Sequence, residues 1–167
     1  MSRILYSHKW IALREGLHGE AYISTLYGAA GSVIVPVLPS NLINLIVETS
    51  YVDGSRCVGL PAGTIERDES ALESAKRELL EEAALDVQSI EDLGTIHLAQ
   101  RYADLTAHVF LAHAEPGKPV ERDEPYEIAN LPRSWDQIDQ MIKTGELTDS
   151  VTIASLYLAR RAIDDRV

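Results

Sequence analysis

The sequence predicts an α/β protein in which helices cover both faces of a mixed β-sheet. The first observation is the order of the segments: apolar, β-branched runs come before one long amphipathic helix. The second is that two more strand-like runs and two further helices complete the chain. No internal repeat, low-complexity tract or long linker divides the 167 residues, so we expect a single domain over residues 1–167.

Four segments before the first helix have the composition of strands, and they occupy residues 5–26, 32–38, 41–48 and 57–60. The first is interrupted at Gly16 and Gly19, which predicts a strand pair. Pro36 lies inside the second and predicts an edge position or a bend, because proline cannot donate a hydrogen bond to a neighbouring strand. Asp53-Gly54 supplies a turn before the fourth.

The strongest helix signal lies between residues 66 and 86. Apolar residues recur there at intervals of three and four, at Leu72, Ala75, Leu79 and Ala83. Asp68 or Ser70 is the expected N-cap.

The second half of the chain predicts two strands, a polar loop and two helices, at residues 93–99, 106–114, 115–125, 134–145 and 149–164. Ser134 is the expected N-cap of the first of these helices, and Gly145 is expected to end it.

Charge and cysteine content exclude several classes of function. The chain has 26 acidic and 15 basic residues, a net charge of −11, which opposes a broad nucleic-acid footprint and binding to an anionic membrane. No apolar run approaches about 18 residues, so no membrane span is expected. The single cysteine, Cys57, lies in an apolar run and is expected to be a small core residue, and without a disulfide framework a cytoplasmic location is the simpler interpretation.

The stretch RELLEEAALD, residues 77–86, crowds acidic side chains onto one side of the predicted helix. Glu78, Glu81 and Glu82 are spaced i, i+3 and i+4, so like charges lie within about a turn of one another. Such pairs destabilise a helix unless something compensates, and Mg²⁺ prefers hard carboxylate oxygens. The alternative interpretation is a solvated acidic face.

The spacing upstream of these glutamates favours the metal interpretation. Gly63 is followed by five residues and Glu69, then by seven residues and Arg77-Glu78. This pattern resembles the signature of the Nudix hydrolase family. The signature residues present here are Gly63, Glu69, Arg77, Glu78, Leu79, Glu81, Glu82 and Leu85. The chain departs once, with Ala84 where the family has glycine, and we expect either a cost of about 1 kcal/mol or a helix one residue longer.

The resemblance implies a Nudix-type α/β/α sandwich with a mixed sheet and a loop-helix-loop site. It also implies a hydrolase that uses two or three Mg²⁺ or Mn²⁺ ions. Glu78 and Glu82 are the leading metal ligands, with Glu81 as a third or as ligand to a second ion. In the family a loop carbonyl also binds metal, here that of Ala62 or Gly63. Glu69 and Arg77 are expected to support the site structurally, with Gly63.

Outside the signature, the chain most resembles the ADP-ribose and nucleotide-sugar pyrophosphatase branch. LPAGTIE resembles that branch's Pro-Ala-Gly turn, and GELTDSVTIASLYLARR resembles its C-terminal segment. The branch carries acids in a loop after the last long strands, which corresponds here to VERDEPYEI. We therefore expect Glu124, and second Glu121, to bind metal or act as general base. The alternative interpretation is that these acids only keep the loop solvated.

Two departures bear on the substrate. Gly59 stands where many members of the branch have an acid, and the upstream strand lacks their arginine, although Arg56 is near. Arg101 is a candidate for binding phosphate and Tyr102 for stacking on a base, against a plainer interpretation as a surface arginine and a half-buried tyrosine.

The expected reaction is metal-dependent hydrolysis of the pyrophosphate bond of a nucleoside diphosphate derivative, with ADP-ribose or a nucleotide sugar first. The alternatives are another Nudix substrate class (a nucleoside triphosphate, a dinucleoside polyphosphate or NADH) and a nucleotide sensor that does not hydrolyse its ligand. The partner is a small nucleotide, with no nucleic acid and no membrane. By analogy with the branch, strands within residues 1–27 are expected to form a homodimer.

Overall fold

The structure, a computed structural model, describes residues 2–9, 11–25, 30–120 and 127–166. The helices are α1 (Ala71–Ala83), α2 (Trp135–Thr144) and α3 (Ser150–Asp164). The strands are β1 (Ile4–His8), β2 (Ile11–Glu15), β3 (Ala21–Thr25), β4 (Gly31–Val37), β5 (Ile43–Thr49), β6 (Arg56–Gly59), β7 (Ala62–Thr64), β8 (Leu85–His97), β9 (Ala103–Asp104), β10 (Thr106–Pro116) and β11 (Ala129–Arg133).

Within these ranges the strands form two mixed sheets. The larger has the order β11-β5-β4-β10-β8, with β6 paired to β5 and β7 paired to β4. Its β4 and β10 are parallel, and its other pairs are antiparallel. The smaller sheet, which we call the N-terminal sheet, has the order β1-β2-β3-β9, with β3 and β9 parallel. The predicted mixed sheet is confirmed.

Helices pack on both faces of the larger sheet, because successive side chains of its central strand point to opposite sides. Val33 and Val35 of β4 belong to a buried cluster with residues of α2 and α3. Ile34, between them, belongs to a second cluster with Ala75 and Leu79 of α1. The α/β/α sandwich expected from the sequence is therefore confirmed.

Pro36 does not place its strand at an edge. β4 is central in the larger sheet, so that alternative is wrong. On one side β4 pairs with β10 through this position. On the other side the pairing with β7 ends at Val33 and the pairing with β5 involves Val37, so Pro36 lies between the two ladders and its missing N–H is tolerated.

The helix ends follow the capping residues. Ser70, rather than Asp68, caps α1 through a reciprocal capping box with Glu73, and Ser134 caps α2 in the same way. Gly145 ends α2 in the left-handed conformation, with φ 79°. In the described part of the chain, no helix is both long and apolar enough to cross a membrane.

Several strands differ from the sequence-based expectation. The segment predicted as a strand pair, residues 5–26, holds three strands, β1, β2 and β3. β8 begins at residue 85 rather than 93, because two register shifts let it follow β10 along its length, and its exposed residues do not alternate with buried ones. The sequence did not predict β7, the two-residue β9 or β11. β7 has only three residues, and β11 contains Pro132, which normally argues against a strand.

Candidate active site

The turn before α1 is fixed on one side by the larger sheet. β7, which contains the Ala-Gly of the turn, pairs with the first residues of β4. The Ile34 N–H donates to the carbonyl of Pro61 at 2.9 Å. Gly31 of β4 approaches so closely that a Cβ there would lie 3.2 Å from the Gly63 carbonyl oxygen. The backbone of the turn therefore has a defined position relative to the helix.

Glu78 and Glu82 of α1 reach this turn. Both are buried, and the Ala62 N–H donates to Glu82 Oε2 at 2.9 Å. A Cβ on Gly63 would lie 1.8 Å from Glu78 Oε1, far inside contact distance. The glycine thus leaves the space that the Glu78 carboxylate occupies. The one-turn spacing of the two glutamates puts both carboxylates on the turn-facing side of the helix.

Arg77 connects three carboxylates of this region. Its Nε donates to Glu69 Oε1 at 2.9 Å, and its Nη1 donates to Glu78 Oε1 at 2.8 Å and Glu81 Oε2 at 3.0 Å. Its Nη2 donates to Glu69 Oε2 at 3.0 Å and to the Thr64 carbonyl at 3.3 Å. One guanidinium therefore links the turn, the residue before the helix and the acidic face of the helix.

These contacts shift the ionisation of the pair at the centre of the network. The hydrogen bonds from Arg77 hold the pKa of Glu69 below its ordinary value. The hydrogen bonds to Glu69, and then the charge of Glu78, raise the pKa of Arg77 above its ordinary value. Both groups are consequently charged across the physiological pH range.

The donor set fits a hard divalent cation. Within the described ranges, no three acidic, histidine or cysteine side chains are arranged as a preassembled metal centre. The contacts give the reason, since Arg77 holds Glu78 and Glu81 while the Ala62 N–H holds Glu82. The network nevertheless has four carboxylates for one guanidinium, and oxygen donors of this kind suit Mg²⁺ or Mn²⁺.

The end of α1 is held by contacts that the sequence did not predict. Ala84 has φ 52° and ψ 44°, so the helix ends at Ala83, and the alternative of a longer helix is wrong. The Asn130 side chain in β11 donates to the Ala83 carbonyl at 2.9 Å and accepts from Asn44 Nδ2 at 2.8 Å. β11 follows the predicted loop acids in the chain, and its Asn130 contacts the end of the glutamate helix.

Of the other predicted site residues, some are exposed and some lie outside the described residues. Glu121 and Glu124 belong to the second group. Arg56 is exposed in β6. The Arg101 guanidinium lies 5.5 Å from the centre of the Tyr102 ring, and Tyr102 is 64% exposed. Neither Arg101 nor Tyr102 lines the cavity beside the turn, which is described below.

Cys57 shows no sign of a nucleophile. Its thiol is partly buried and donates to the Glu48 carbonyl at 3.6 Å. Burial raises the pKa of this thiol, which disfavours the reactive thiolate.

A cavity of about 230 Å³ adjoins the turn on the side of the N-terminal sheet. Its wall includes the turn residues Gly63 and Thr64, and it also includes Thr25 of β3, Leu105 and the first residue of β10, Thr106. The sequence did not predict these lining residues, because they come from separate segments and carry no shared motif. The cavity places an apolar recess beside the glutamate cluster.

The chain matches the model of the NUDIX domain over residues 30–156, which is more than half of its length. The chain belongs to the Nudix family. It is 25% identical over 128 residues to the ADP compounds hydrolase NudE of Escherichia coli (strain K12), covering 77% of this chain and 68% of that protein. The match confirms the predicted family and the predicted Nudix pyrophosphatase class of enzyme.

A solved structure, described as an ADP compounds hydrolase, shares the fold. It superposes with a TM-score of 0.82 at 20% sequence identity, covering 99% of this chain and 93% of the other. The agreement includes the N-terminal region, which the family model does not reach. This likeness confirms the Nudix-type fold of the chain.

Proposed function

We propose that this Nudix protein hydrolyses the pyrophosphate bond of a nucleoside diphosphate derivative in a divalent metal-dependent reaction. ADP-ribose or a nucleotide sugar is the leading substrate, giving a nucleoside monophosphate and a sugar phosphate. The observation that carries the proposal is the seating of two buried glutamates against the turn. Glu78 fills the space left by Gly63, and Glu82 accepts the Ala62 N–H at 2.9 Å.

The proposed metal ligands are Glu78, Glu82 and Glu81, together with the carbonyl of Ala62 or Gly63. Bound Mg²⁺ or Mn²⁺ would polarise phosphoryl oxygens and lower the pKa of bound water. Glu81 is the most exposed of the three glutamates, with 32% of its side chain accessible, so it can turn towards an incoming ligand. The network's surplus of carboxylates is the electrostatic basis of this assignment.

The residues of the chain then have separate roles in this proposal. Arg77 and Glu69 hold the helix against the turn, as their hydrogen bonds suggest. A carboxylate must also accept the proton of the attacking water, and Glu124 is our first choice, with Glu121 second. Both precede β11, whose Asn130 contacts the end of α1.

The substrate class is supported by one relative and by the cavity. The E. coli relative is described as acting on ADP compounds, and we transfer that class to this chain as part of the proposal. The cavity beside Gly63 is small and mostly apolar, which suits a nucleoside portion rather than a phosphate. Arg101 and Tyr102 stay candidates for contacting the substrate at its exposed end, and Arg56 for binding phosphate.

A hydrolysis screen tests this proposal. Purified protein with Mg²⁺ would be incubated with ADP-ribose, nucleotide sugars, NADH, dinucleoside polyphosphates and nucleoside triphosphates, with products separated by chromatography. We expect ADP-ribose to yield AMP and ribose 5-phosphate, with no products when EDTA is present. Preferential cleavage of another class would overturn the substrate assignment, and tight nucleotide binding without turnover would favour the sensor.

We also propose that the whole chain is a single domain that pairs as a homodimer through its N-terminal strands. Every residue of β1 is exposed, including Ile4, Leu5 and Tyr6, and Ile23 of β3 is 41% exposed. Exposed apolar side chains grouped on one sheet often mark a protein interface. The acidic charge and single cysteine favour a cytoplasmic location, which stays a prediction.

A further inference from the structure

A buried hydroxyl on the N-terminal sheet has no hydrogen-bond partner among the described residues. It belongs to Thr25, the last residue of β3, which is only 6% exposed. Buried polar groups are nearly always hydrogen-bonded, because an unpaired one has lost its water without compensation. The neighbouring Ser24 hydroxyl shows the usual arrangement, since it accepts from Arg14 Nε at 2.7 Å and donates to the Thr25 carbonyl at 3.1 Å.

Thr25 also lines the cavity beside the turn. Gly63 contributes to the same cavity, and the other side of Gly63 faces the Glu78 carboxylate. Thr25 and Gly63 therefore line one cavity from different elements, and Gly63 also adjoins the Glu78 carboxylate. Aliphatic side chains such as Leu105 and Val151 complete the wall, and no charged side chain lines it among the described residues.

This combination is typical of a site that accepts one flat, weakly polar group. Ligand pockets are mostly apolar, and a few placed polar groups give them specificity. A volume of about 230 Å³ without a charged lining residue suits a nucleobase better than a pyrophosphate. The Thr25 hydroxyl is buried behind this wall, and a threonine hydroxyl turned into the cavity would distinguish bases, because it donates or accepts a hydrogen bond according to the atom facing it.

We propose that Thr25 is a specificity-determining residue whose hydroxyl hydrogen-bonds the nucleobase of the substrate. The proposal rests on the proposed function, since it assigns the nucleoside end of that substrate to this cavity. Rotation about the Cα–Cβ bond from one staggered rotamer to another exchanges the positions of the threonine methyl and hydroxyl groups and would turn the hydroxyl towards the cavity. The hydroxyl, which has no partner among the described residues of the free protein, thereby gains one in the complex.

The test compares Thr25→Val, which keeps the shape and removes the hydroxyl, with Thr25→Ser, which keeps the hydroxyl. Ser155→Ala is the matched control, because Ser155 Oγ is also buried with no partner in the described ranges but does not line the cavity. Calorimetry would first measure binding of AMP, GMP, CMP and UMP to the wild type. The variants would then be measured with the nucleotide that the wild type binds most tightly. Ribose 5-phosphate, which lacks a base, is the negative probe.

We expect Thr25→Val to weaken binding of that nucleotide roughly 3- to 10-fold while its melting temperature does not fall. Thr25→Ser and Ser155→Ala should bind as the wild type does, and ribose 5-phosphate binding should be the same in all variants. Equal weakening in Thr25→Val and Thr25→Ser would overturn the hydroxyl's role, and so would unchanged binding in Thr25→Val. A wild-type protein that binds none of the four nucleotides would also overturn it.

The same variants separate this inference from the proposed function. Nucleotide binding that depends on the Thr25 hydroxyl, without hydrolysis of any pyrophosphate substrate, would support the inference and refute the hydrolase proposal. Hydrolysis of ADP-ribose with equal kcat/KM in wild type and Thr25→Val would do the reverse. Where both hold, Thr25→Val should raise KM and leave kcat and its Mg²⁺ dependence unchanged.

Discussion

The turn-and-helix segment from Ala62 to Ala84 and the N-terminal sheet use polar groups in different ways. In the segment, carboxylates are crowded, and each is held by a contact with another residue of the same segment. In the N-terminal sheet, β1 exposes its apolar side chains, and the buried Thr25 hydroxyl has no hydrogen-bond partner within the part of the chain that the structure describes. The carboxylates of the first region find hydrogen-bond partners within the segment, whereas the second region has groups that a ligand or another copy of the chain would satisfy.

The largest effect should come from removing one charge of the segment. Glu82→Gln keeps the size of the side chain but replaces a buried carboxylate with a poorer metal ligand. We expect the rate of ADP-ribose hydrolysis to fall roughly 10²- to 10⁴-fold, with an unchanged circular dichroism spectrum. Glu66→Gln, an exposed acid outside the cluster, is the control and should retain activity. Equal activity in both variants would make the cluster an ordinary acidic surface.

A single methyl group at the turn should have the next largest effect. In Gly63→Ala the new Cβ would lie 1.8 Å from Glu78 Oε1, so the carboxylate must move. Because a displacement of about 1 Å can cost about 10²-fold in rate, we expect a loss of that order in kcat/KM. In the control Gly59→Ala the Cβ would meet only Thr152 Oγ1 at 3.6 Å, an ordinary contact. A fully active Gly63→Ala variant would show that Glu78 need not occupy this position.

Removing the central cation should affect folding more than the shape of the site. Arg77→Gln leaves Glu69, Glu78 and Glu81 without the guanidinium that joins them. We expect the free energy of unfolding at pH 7 to fall by about 1–3 kcal/mol, measured by urea denaturation. The exposed Arg67→Gln is the control and should change it little.

The pH dependence gives this prediction a second readout. Because Arg77 lowers the pKa of Glu69 in the folded protein, the stabilisation is fully present above the ordinary pKa of a glutamate. It is lost as the pH falls through the lower, folded-state pKa. The difference in stability between wild type and Arg77→Gln should therefore be largest near neutral pH and shrink in acid. A difference that is the same at pH 7 and in strong acid would contradict the ion-pair account.

The N-terminal sheet should respond in assembly rather than in chemistry. Tyr6→Glu places a charge on the exposed face of β1, and we expect a dimer to become a monomer in light scattering coupled to gel filtration. Leu17→Glu, at a turn position that is 95% exposed, should leave the dimer intact. A wild-type protein that is monomeric at all tested concentrations would refute the homodimer.

The smallest effect concerns the end of the glutamate helix. Ala84 has a left-handed conformation that costs an L-residue energy and glycine little, so Ala84→Gly should stabilise the protein by about 1 kcal/mol. The melting temperature should rise by roughly 2–4 °C. Lys76→Gly, at an exposed position inside the same helix, should instead destabilise by about 1 kcal/mol. A destabilised Ala84→Gly variant would show that the methyl group contributes packing.

The two regions also differ in how far their structure could be predicted from the sequence. The spacing from Gly63 to Glu82 predicted the helix, the turn before it and the grouping of the glutamates, because all these contacts are local in sequence. The contacts of Asn130 with Ala83, and of Thr25 with the cavity, join residues from distant segments. No short pattern contains such pairs, and they emerge only from the pairing order of the strands.

The strands follow the same rule. The buried runs that became β4 and β5 were predicted because their composition is apolar and β-branched throughout. β7 was not predicted, because its three residues form a strand only by pairing with β4. Pro36 is tolerated in a central strand because it lies between the end of the pairing with β7 and the start of the pairing with β5. The composition of the segment does not show where those partner strands end.

The most direct test of the metal assignment is Mn²⁺ binding to the protein without substrate, followed by electron paramagnetic resonance of the free ion. We predict that the wild type binds Mn²⁺, that Mg²⁺ competes for the site, and that Glu82→Gln binds Mn²⁺ at least about tenfold more weakly, whereas Glu66→Gln binds as the wild type does. Equal Mn²⁺ binding by wild type and Glu82→Gln, or none by the wild type, would contradict the assignment of Glu78, Glu81 and Glu82 as a metal site.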